Sequence, residues 1–194
     1  NVGIVGCGRI FKKHLTAVQE HKKLKLIAIC DTKKSALNKY KHLNVKKYTN
    51  VNKMLSHENI DLITILTPSG YHYKNFIEVH KKVKNILIEK PLTTNLVDAK
   101  KIYSTAKKFQ NEVFVVMQNR FNKPIIALKK ILDEKKIGKV FLTSARVRWA
   151  RDEKYYALAE WRGTKKNDGG VLFNQAAHHV DMLTYLNGSI KRVR

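Results

Sequence analysis

Two glycines near the start of the chain follow a short apolar run and precede an amphipathic segment. The run is Val2 to Val5, and the glycines are Gly6 and Gly8. The first glycine permits a tight turn, and the second lets the backbone approach a pyrophosphate at the N-terminus of the next helix. Phe11 occupies the third glycine position of this pattern, and a Gly-x-Gly pair also occurs in ordinary turns. The chemistry indicated is dinucleotide binding.

An acidic residue ends the second apolar run. Asp31 follows Leu24 to Cys30 and lies 25 residues after Gly6. A carboxylate at this place accepts hydrogen bonds from both ribose hydroxyls and repels a 2′-phosphate, which favours NAD over NADP. Lys33 and Lys34 lie close enough in sequence to weaken that preference. The alternative is a plain turn in which Asp31 only caps a helix.

Two further apolar runs end in residues that could do chemistry. One is followed by Thr67 and Pro68, and the other by Glu89, Lys90 and Pro91. In a parallel sheet both ends lie at the carboxyl edge, where ligands bind. Because the proline holds the preceding residue extended, the ammonium group of Lys90 is predicted to point into the cleft, which makes it a catalytic candidate.

A histidine near the end of the chain is the candidate base. A helix is predicted to open at Gly169 and Gly170 and to run to about Leu186. On one helix, Asn174, His178 and Asp181 share a face. Dehydrogenation of an alcohol needs a base for the hydroxyl proton, and histidine titrates in the useful range. The alternative is that His178 only caps or packs the helix.

The elements that must position these residues alternate between strands and helices. Such alternation with short connections predicts an α/β Rossmann fold, a doubly wound parallel sheet. This NAD-binding domain is predicted to cover residues 1–119. Its strands are Val2–Val5, Leu24–Cys30, Leu62–Leu66, Asn85–Ile88 and Val113–Met117, and its helices are Ile10–Glu20, Lys33–His42, Tyr71–Lys82 and Leu96–Phe109.

The pattern changes after Arg120. A helix is predicted over Lys123–Lys136 and a long strand over Lys139–Trp149, and Ile190 begins what resembles another strand. A sheet seldom consists of one long strand and the beginning of a second. Residues 120–194 are therefore predicted to be the start of an α+β catalytic domain that is incomplete in this sequence.

Composition bounds the remaining possibilities. The chain has 194 residues, a formal net charge of +24 and 43% hydrophobic residues, which favours a packed core over disorder or a fibre. Its apolar runs are too short to cross a membrane, and no secretory signal is expected, although a trimmed terminus would hide one. The two cysteines, Cys7 and Cys30, favour a reducing, cytoplasmic location.

Scattered lysine pairs indicate solvated helix faces rather than a nucleic-acid site. The one pair of adjacent histidines is His178 and His179. Their side chains diverge on a helix, so no metal site is expected.

Four motifs together resemble the Gfo/Idh/MocA oxidoreductase family. They are Gly6 to Ile10, Thr67-Pro68, Glu89-Lys90-Pro91 and Gly169 to Asp181. The resemblance spans nearly the whole chain. It implies a Rossmann domain followed by an α+β domain with an open, mostly antiparallel sheet, which often forms an oligomer face. A homo-oligomer of two or four copies is therefore expected for the full-length protein.

Further residues resemble one branch of the family, which oxidises the 3-hydroxyl of UDP-N-acetylglucosaminuronate or a close nucleotide sugar in surface-polysaccharide synthesis. They are Arg146 to Trp149, Tyr155-Tyr156 and Trp161 to Thr164, with the helix motif. Many family members have aspartate where this chain has Asn174, and glycine where it has Ala176. An amide cannot act as a base, so Asn174 is expected to orient substrate.

The resemblance implies a role for each remaining candidate. Lys90 and His178 would be catalytic, with Lys90 polarising the oxygen or sharing its proton. Guanidinium groups match a diphosphate or a carboxylate, which suits a nucleotide sugar. The implied substrate contacts are Asn174, Arg148, Tyr156, Arg162 and Asn119. The implied cofactor contacts are Gly6, Gly8, Arg9, Ile10, Asp31, Thr67, Pro68, His72, Glu89, Lys90, Gln118 and Trp161. For Gln118 and Asn119 a domain-joining loop is an equal alternative.

The sequence thus predicts an NAD-dependent dehydrogenase that takes hydride from a sugar hydroxyl. Another sugar or inositol dehydrogenase of the same family is the alternative within this class. A basic nucleic-acid or scaffold-binding protein with a vestigial Rossmann core is the alternative from a different class.

Overall fold

The computed structural model describes residues 1–193 of the chain. The chain forms two compact units, residues 1–116 and 117–194. The boundary between the units lies after Val116, whereas the sequence analysis predicts it after Asn119.

The N-terminal unit is built on a six-stranded parallel sheet. The spatial order is β3-β2-β1-β4-β5-β6, so the chain runs outward from β1 in one direction, returns, and runs outward in the other. This reversal is the doubly wound topology, and it confirms the predicted Rossmann fold. The strands are β1 Val2–Val5, β2 Leu26–Cys30, β3 Lys46–Tyr48, β4 Leu62–Ile65, β5 Asn85–Ile88 and β6 Glu112–Val115.

Five helices pack on the two faces of the sheet. Helix α1 places Phe11, Leu15 and Val18 in one core cluster with Val2 and Ile4 of β1. A second cluster holds buried residues of α3, α4 and α5. Because successive strand side chains point to opposite faces, β1 and β2 each supply buried residues to both clusters. The helices are α1 Phe11–Glu20, α2 Lys34–Asn38, α3 Val51–His57, α4 His72–Val79 and α5 Leu96–Phe109.

The second unit contains short helices in its described part. A 3₁₀ segment over Gln118–Phe121 precedes the first of them. The helices are α6 Lys123–Asp133, α7 Glu153–Ala157, α8 Val171–Asn174 and α9 Ala177–Asn187.

The strand predicted over Lys139–Trp149 is not a strand in the structure. Its residues are exposed and have no regular backbone pairing. A strand exists only when a neighbour supplies its hydrogen bonds, and no strand in residues 117–193 does so. The mostly antiparallel sheet expected in this domain is therefore not confirmed.

The helix predicted from Gly169 to about Leu186 is two helices. Helix α8 ends at Asn174, and α9 begins at Ala177. The Gln175 N–H and the Ala176 N–H both donate to the Val171 carbonyl, so the helical ladder stops there. The prediction that Asn174 and His178 share one continuous helical face is wrong for this reason.

The structure also bears on membrane insertion. In residues 1–193, the helices are too short or too polar to span a lipid bilayer.

Candidate functional site

The glycine turn after β1 has no room for a side chain at its first position. Gly6 has a φ of +99°, and a Cβ there would lie 2.7 Å from the carbonyl carbon of Leu66. Both facts require glycine, because a backbone atom cannot move aside and L-residues rarely adopt this φ. The turn therefore lies directly against the end of β4.

The second glycine faces open space. A Cβ on Gly8 would meet no protein atom within 4 Å. Arg9 is exposed beside it, and the N-cap residue of α1, Ile10, supplies no side-chain cap. Packing within the chain thus does not explain Gly8, whereas a phosphate approaching the start of α1 would.

Asp31 is tied to the glycine turn. Its Oδ2 accepts a hydrogen bond from the Cys7 N–H at 2.8 Å, and its Oδ1 accepts one from the Lys33 N–H at 2.9 Å. A carboxylate offers about four acceptor positions, so two remain for a ligand. Burial, together with the nearby Asp31 charge, raises the pKa of the Cys7 thiol to about 12, so Cys7 is a neutral turn residue rather than a nucleophile.

His72 joins the loops after β4 and β5. Its side chain is 1% exposed, with Nε2 2.8 Å from the Thr67 carbonyl and Nδ1 2.9 Å from the Pro91 carbonyl. With both ring nitrogens against protein carbonyls, His72 supports the loops, and its side chain is not presented to a cofactor as the sequence led us to expect. The Thr67 hydroxyl donates to Asn75 Oδ1 at 2.7 Å, which fixes the same loop.

Glu89 and Lys90 follow β5. The Glu89 Oε1 lies 2.8 Å from His14 Nε2, and its Oε2 accepts a hydrogen bond from the Lys90 N–H at 3.0 Å. Lys90 is partly buried. Sequence reasoning missed His14, although a signal existed: it is three residues after Phe11 and four before Val18, both of which are buried on α1.

His178 is the buried histidine of the second unit. Gln118 Nε2 lies 3.1 Å from His178 Nε2. When the amide nitrogen donates, Nε2 is the acceptor, which is the form that a base requires. Gln118, expected to contact the cofactor, thus places its side-chain amide against the candidate base.

Asp181, three residues after His178 on α9, is the partner of Arg120. Arg120 holds it with two hydrogen bonds, from Nε to Oδ2 at 2.8 Å and from Nη2 to Oδ1 at 2.5 Å. The Arg120 guanidinium also lies 4.9 Å from the Tyr185 ring centre. This pair ties the 3₁₀ segment that carries Gln118 to α9.

Asn174 pairs with an acid that sequence reasoning missed. Its amide nitrogen donates to Asp168 Oδ1, and the Gly163 N–H donates to Asp168 Oδ2 at 2.7 Å. Asp168 is only 2% exposed. A second carboxylate at position 174 would face this buried one, whereas the amide of Asn174 donates to it.

The aromatic and arginine candidates form a stacked group in the second unit. The Arg162 guanidinium lies 4.3 Å from the Tyr155 ring centre and 5.1 Å from that of Trp161. Gln175 Nε2 donates to the Tyr156 hydroxyl at 3.3 Å. Stacking fixes the plane of a guanidinium and leaves its edges for an anion. Arg148 is exposed, and Asn119 is partly buried.

The chain matches two family models in succession. Residues 1–117 match "Oxidoreductase family, NAD-binding Rossmann fold", and residues 125–194 match "GFO/IDH/MocA C-terminal domain". The chain belongs to the Gfo/Idh/MocA oxidoreductase family. The resemblance drawn from the four motifs is thereby confirmed, and family membership favours an oxidoreductase over a nucleic-acid-binding protein.

Two solved structures are similar to this chain over most of its length. The WlbA dehydrogenase of Bordetella pertussis, in complex with NADH and UDP-GlcNAcA, has a TM-score of 0.92 and 35% sequence identity, covering 96% of this chain and 58% of its own. The WlbA dehydrogenase of Chromobacterium violaceum, with the same two ligands, gives the same TM-score and identity and is covered over 55% of its length.

Curated relatives are more distant. The myo-inositol 2-dehydrogenase of Thermotoga maritima is 26% identical over 189 residues, which cover 96% of this chain and 54% of that protein. The chain spans about half the length of the curated relatives it matches.

The environment of His72 predicts a pH-dependent stability. Burial lowers the pKa of His72, and this outweighs the hydrogen bonds to the Thr67 and Pro91 carbonyls, which raise it. Since the unfolded histidine has a pKa of about 6.5, the unfolded chain binds the extra proton first as the pH falls below that value. The free energy of unfolding should therefore fall from pH 6.5 downward, with a slope of up to ~1.4 kcal/mol per pH unit from this residue.

Urea denaturation between pH 5 and 7.5 measures this slope. In His72→Gln the slope should be smaller than in the wild type, whatever the overall stability. The exposed His42→Gln is the matched control and should keep the wild-type slope. Equal slopes in the wild type and His72→Gln would show that His72 is not the source.

The Asp168 pair predicts the effect of an acid at position 174. In Asn174→Asp the new carboxylate faces the buried Asp168 carboxylate, so the free energy of unfolding at pH 7 should fall by about 1–3 kcal/mol. Part of the loss should be recovered near pH 5, because repulsion raises the pKa of one acid and the pair then shares a proton. Asn44→Asp, at an exposed position outside the helices and strands, should change stability by less than about 0.5 kcal/mol. A variant Asn174→Asp as stable as the wild type at pH 7 contradicts this account of the pair.

Proposed function

We propose that the protein containing this chain oxidises a sugar hydroxyl with NAD, and that the substrate is UDP-N-acetylglucosaminuronate, oxidised at C3. The observation that carries the proposal is the similarity to two WlbA dehydrogenases at 35% identity over 96% of the chain, both in complex with NADH and UDP-GlcNAcA. A second family member, the myo-inositol 2-dehydrogenase, is less similar at 26% identity.

The glycine turn fits a dinucleotide. The space at Gly8 admits a phosphate where a side chain would otherwise stand, and the two hydrogen bonds to Asp31 leave acceptor positions for ribose hydroxyls. The same carboxylate would repel a 2′-phosphate, which supports NAD over NADP. The residues proposed to hold the cofactor are Gly6, Gly8, Arg9, Ile10, Asp31, Thr67, Pro68, Glu89, Lys90, Gln118 and Trp161.

NAD, when bound, supplies an electron-deficient ring carbon that accepts a hydride. Lys90 is proposed to hold and polarise the hydroxyl oxygen. His178 is proposed to take the hydroxyl proton at Nε2 after the substrate hydroxyl replaces the Gln118 amide, which lies 3.1 Å from this atom and would otherwise occupy its single lone pair. The alcohol thus loses one hydride and one proton and becomes a ketone, and the two electrons leave with the hydride.

The remaining proposed contacts suit the anionic parts of a nucleotide sugar. Asn174, fixed by Asp168, would orient the sugar through its remaining hydrogen-bonding positions. The Arg162 guanidinium, stacked on Tyr155 and Trp161, has the geometry to grip a carboxylate or a diphosphate. Arg148, Tyr156 and Asn119 complete the proposed substrate set.

The test is turnover by the full-length protein. When NAD and UDP-N-acetylglucosaminuronate are added, the absorbance of NADH should rise, and mass spectrometry should detect a 3-keto sugar. Lys90→Met and His178→Asn should each lower kcat by at least about 100-fold, because acid–base and polarising groups contribute 10²–10⁴-fold. The Kd for NAD should change by less than about threefold in His178→Asn, because His178 is not among the proposed cofactor contacts.

Matched controls are the exposed Lys100→Met and the neighbouring His179→Asn, which should retain most of the activity. Other UDP-sugars and myo-inositol belong in the same assay. Turnover of myo-inositol alone would contradict the proposed substrate, and absence of turnover with every alcohol would contradict the proposed reaction.

A further inference from the structure

Glu89 is a mostly buried acid with two fixed partners. Its side chain is 13% exposed, and that of His14 is 14% exposed. One carboxylate oxygen lies 2.8 Å from His14 Nε2, and the other accepts the Lys90 N–H at 3.0 Å. A buried carboxylate needs such partners, because an unpaired charge away from water is costly. One carboxylate oxygen of Glu89 thus contacts α1 through His14, and the other contacts the backbone of Lys90.

The histidine end of this connection is rigid. His14 lies in the middle of α1, between Phe11, Leu15 and Val18, which are all buried in the core. An Nε2–H donor is available in both the charged ring and one neutral tautomer, so the contact does not depend on a charged imidazole. The position of α1 therefore fixes the Glu89 carboxylate and, through it, the Lys90 peptide nitrogen.

The backbone after Lys90 is held from another helix. The Pro91 carbonyl lies 2.9 Å from Nδ1 of His72, on α4. Helices α1 and α4 belong to the two different core clusters of the sheet. The backbone is thus held before Lys90, at its N–H, and after it, at the Pro91 carbonyl, through imidazoles from separate helices.

We propose that His14 is a positioning residue for Lys90. Through Glu89 it fixes the peptide that carries the lysine, and it makes no contact with substrate in this role. The consequence for catalysis rests on the proposed function of Lys90. Displacing a reacting group by about 1 Å can lower the rate 10²-fold. The effect of His14 should therefore appear mainly in kcat.

Steady-state kinetics of the full-length protein test this role. His14→Leu should lower kcat by about 10- to 100-fold and change the KM for NAD by less than about threefold. In His14→Gln an amide N–H can again donate to Glu89, so kcat should recover to within about fivefold of the wild type. His21→Leu, at the exposed end of the same helix, is the control and should leave kcat unchanged. Full activity in His14→Leu overturns the proposal.

A double variant separates action through Glu89 from any other effect of His14. Without an acceptor at position 89, His14 has nothing to fix, so His14→Leu/Glu89→Ala should be no slower than Glu89→Ala alone. If the two losses multiply instead, His14 acts by another route and the proposal is overturned.

Amide hydrogen exchange at Lys90 tests the same link without using activity. In His14→Leu the Lys90 N–H should exchange at least about tenfold faster than in the wild type, and in His14→Gln it should stay protected. If Lys90→Met is fully active, the proposed function fails, whereas this exchange pattern still supports the positioning link. If exchange at Lys90 is the same in His14→Leu and the wild type, the positioning proposal fails even when Lys90 proves essential.

Discussion

The close contact between Gly6 and the end of β4 is the constraint on which the N-terminal unit depends. Only a residue without Cβ, at a φ of +99°, lets the turn after β1 lie against the Leu66 carbonyl. Because the turn lies so close, the Cys7 N–H also reaches Asp31 at the end of β2. The carboxyl ends of three adjacent strands are thus fixed relative to one another around the start of α1.

The same edge continues to β5 through two histidines. His72 links the loop after β4 to the Pro91 carbonyl, and His14 links α1 to Glu89. The segment that carries Lys90 is therefore held by a network of polar contacts at the same sheet edge as the glycine turn. Such a network holds a backbone more precisely than exposed loops do, and precision at the reacting atoms is what hydride transfer requires.

Elements with strong local signals could be predicted from the sequence. The bounds of β1, β5 and α5 agree with the prediction, since each has a clear apolar pattern and α5 has an Asn95 cap that accepts from the Asp98 N–H. The short edge strand β3 and helix α3 were missed. The Lys-Lys-Tyr sequence of β3 has no apolar run, because an edge strand needs less burial.

Contacts that depend on distant residues could not be predicted. Glu89 and His14 are 75 positions apart, and the pairing of Asp181 with Arg120 spans 61. Spacing on an ideal helix placed Asn174, His178 and Asp181 on one face, but the break at Gln175 and Ala176 separates Asn174 from the other two, and Arg120 holds the Asp181 carboxylate. The resemblance identified the family, while the proposed role of each site residue, the oligomeric state and the second sheet stay predictions.

Calorimetric titration of the full-length protein with NAD and with NADP is the most direct test of the central claim, that the glycine turn and Asp31 form an NAD site. We expect one NAD per chain, at least about tenfold weaker binding of NADP, and loss of NAD binding in Gly8→Ala with an unchanged unfolding midpoint. Equal affinity for both nucleotides, or undiminished NAD binding by Gly8→Ala, would contradict the account.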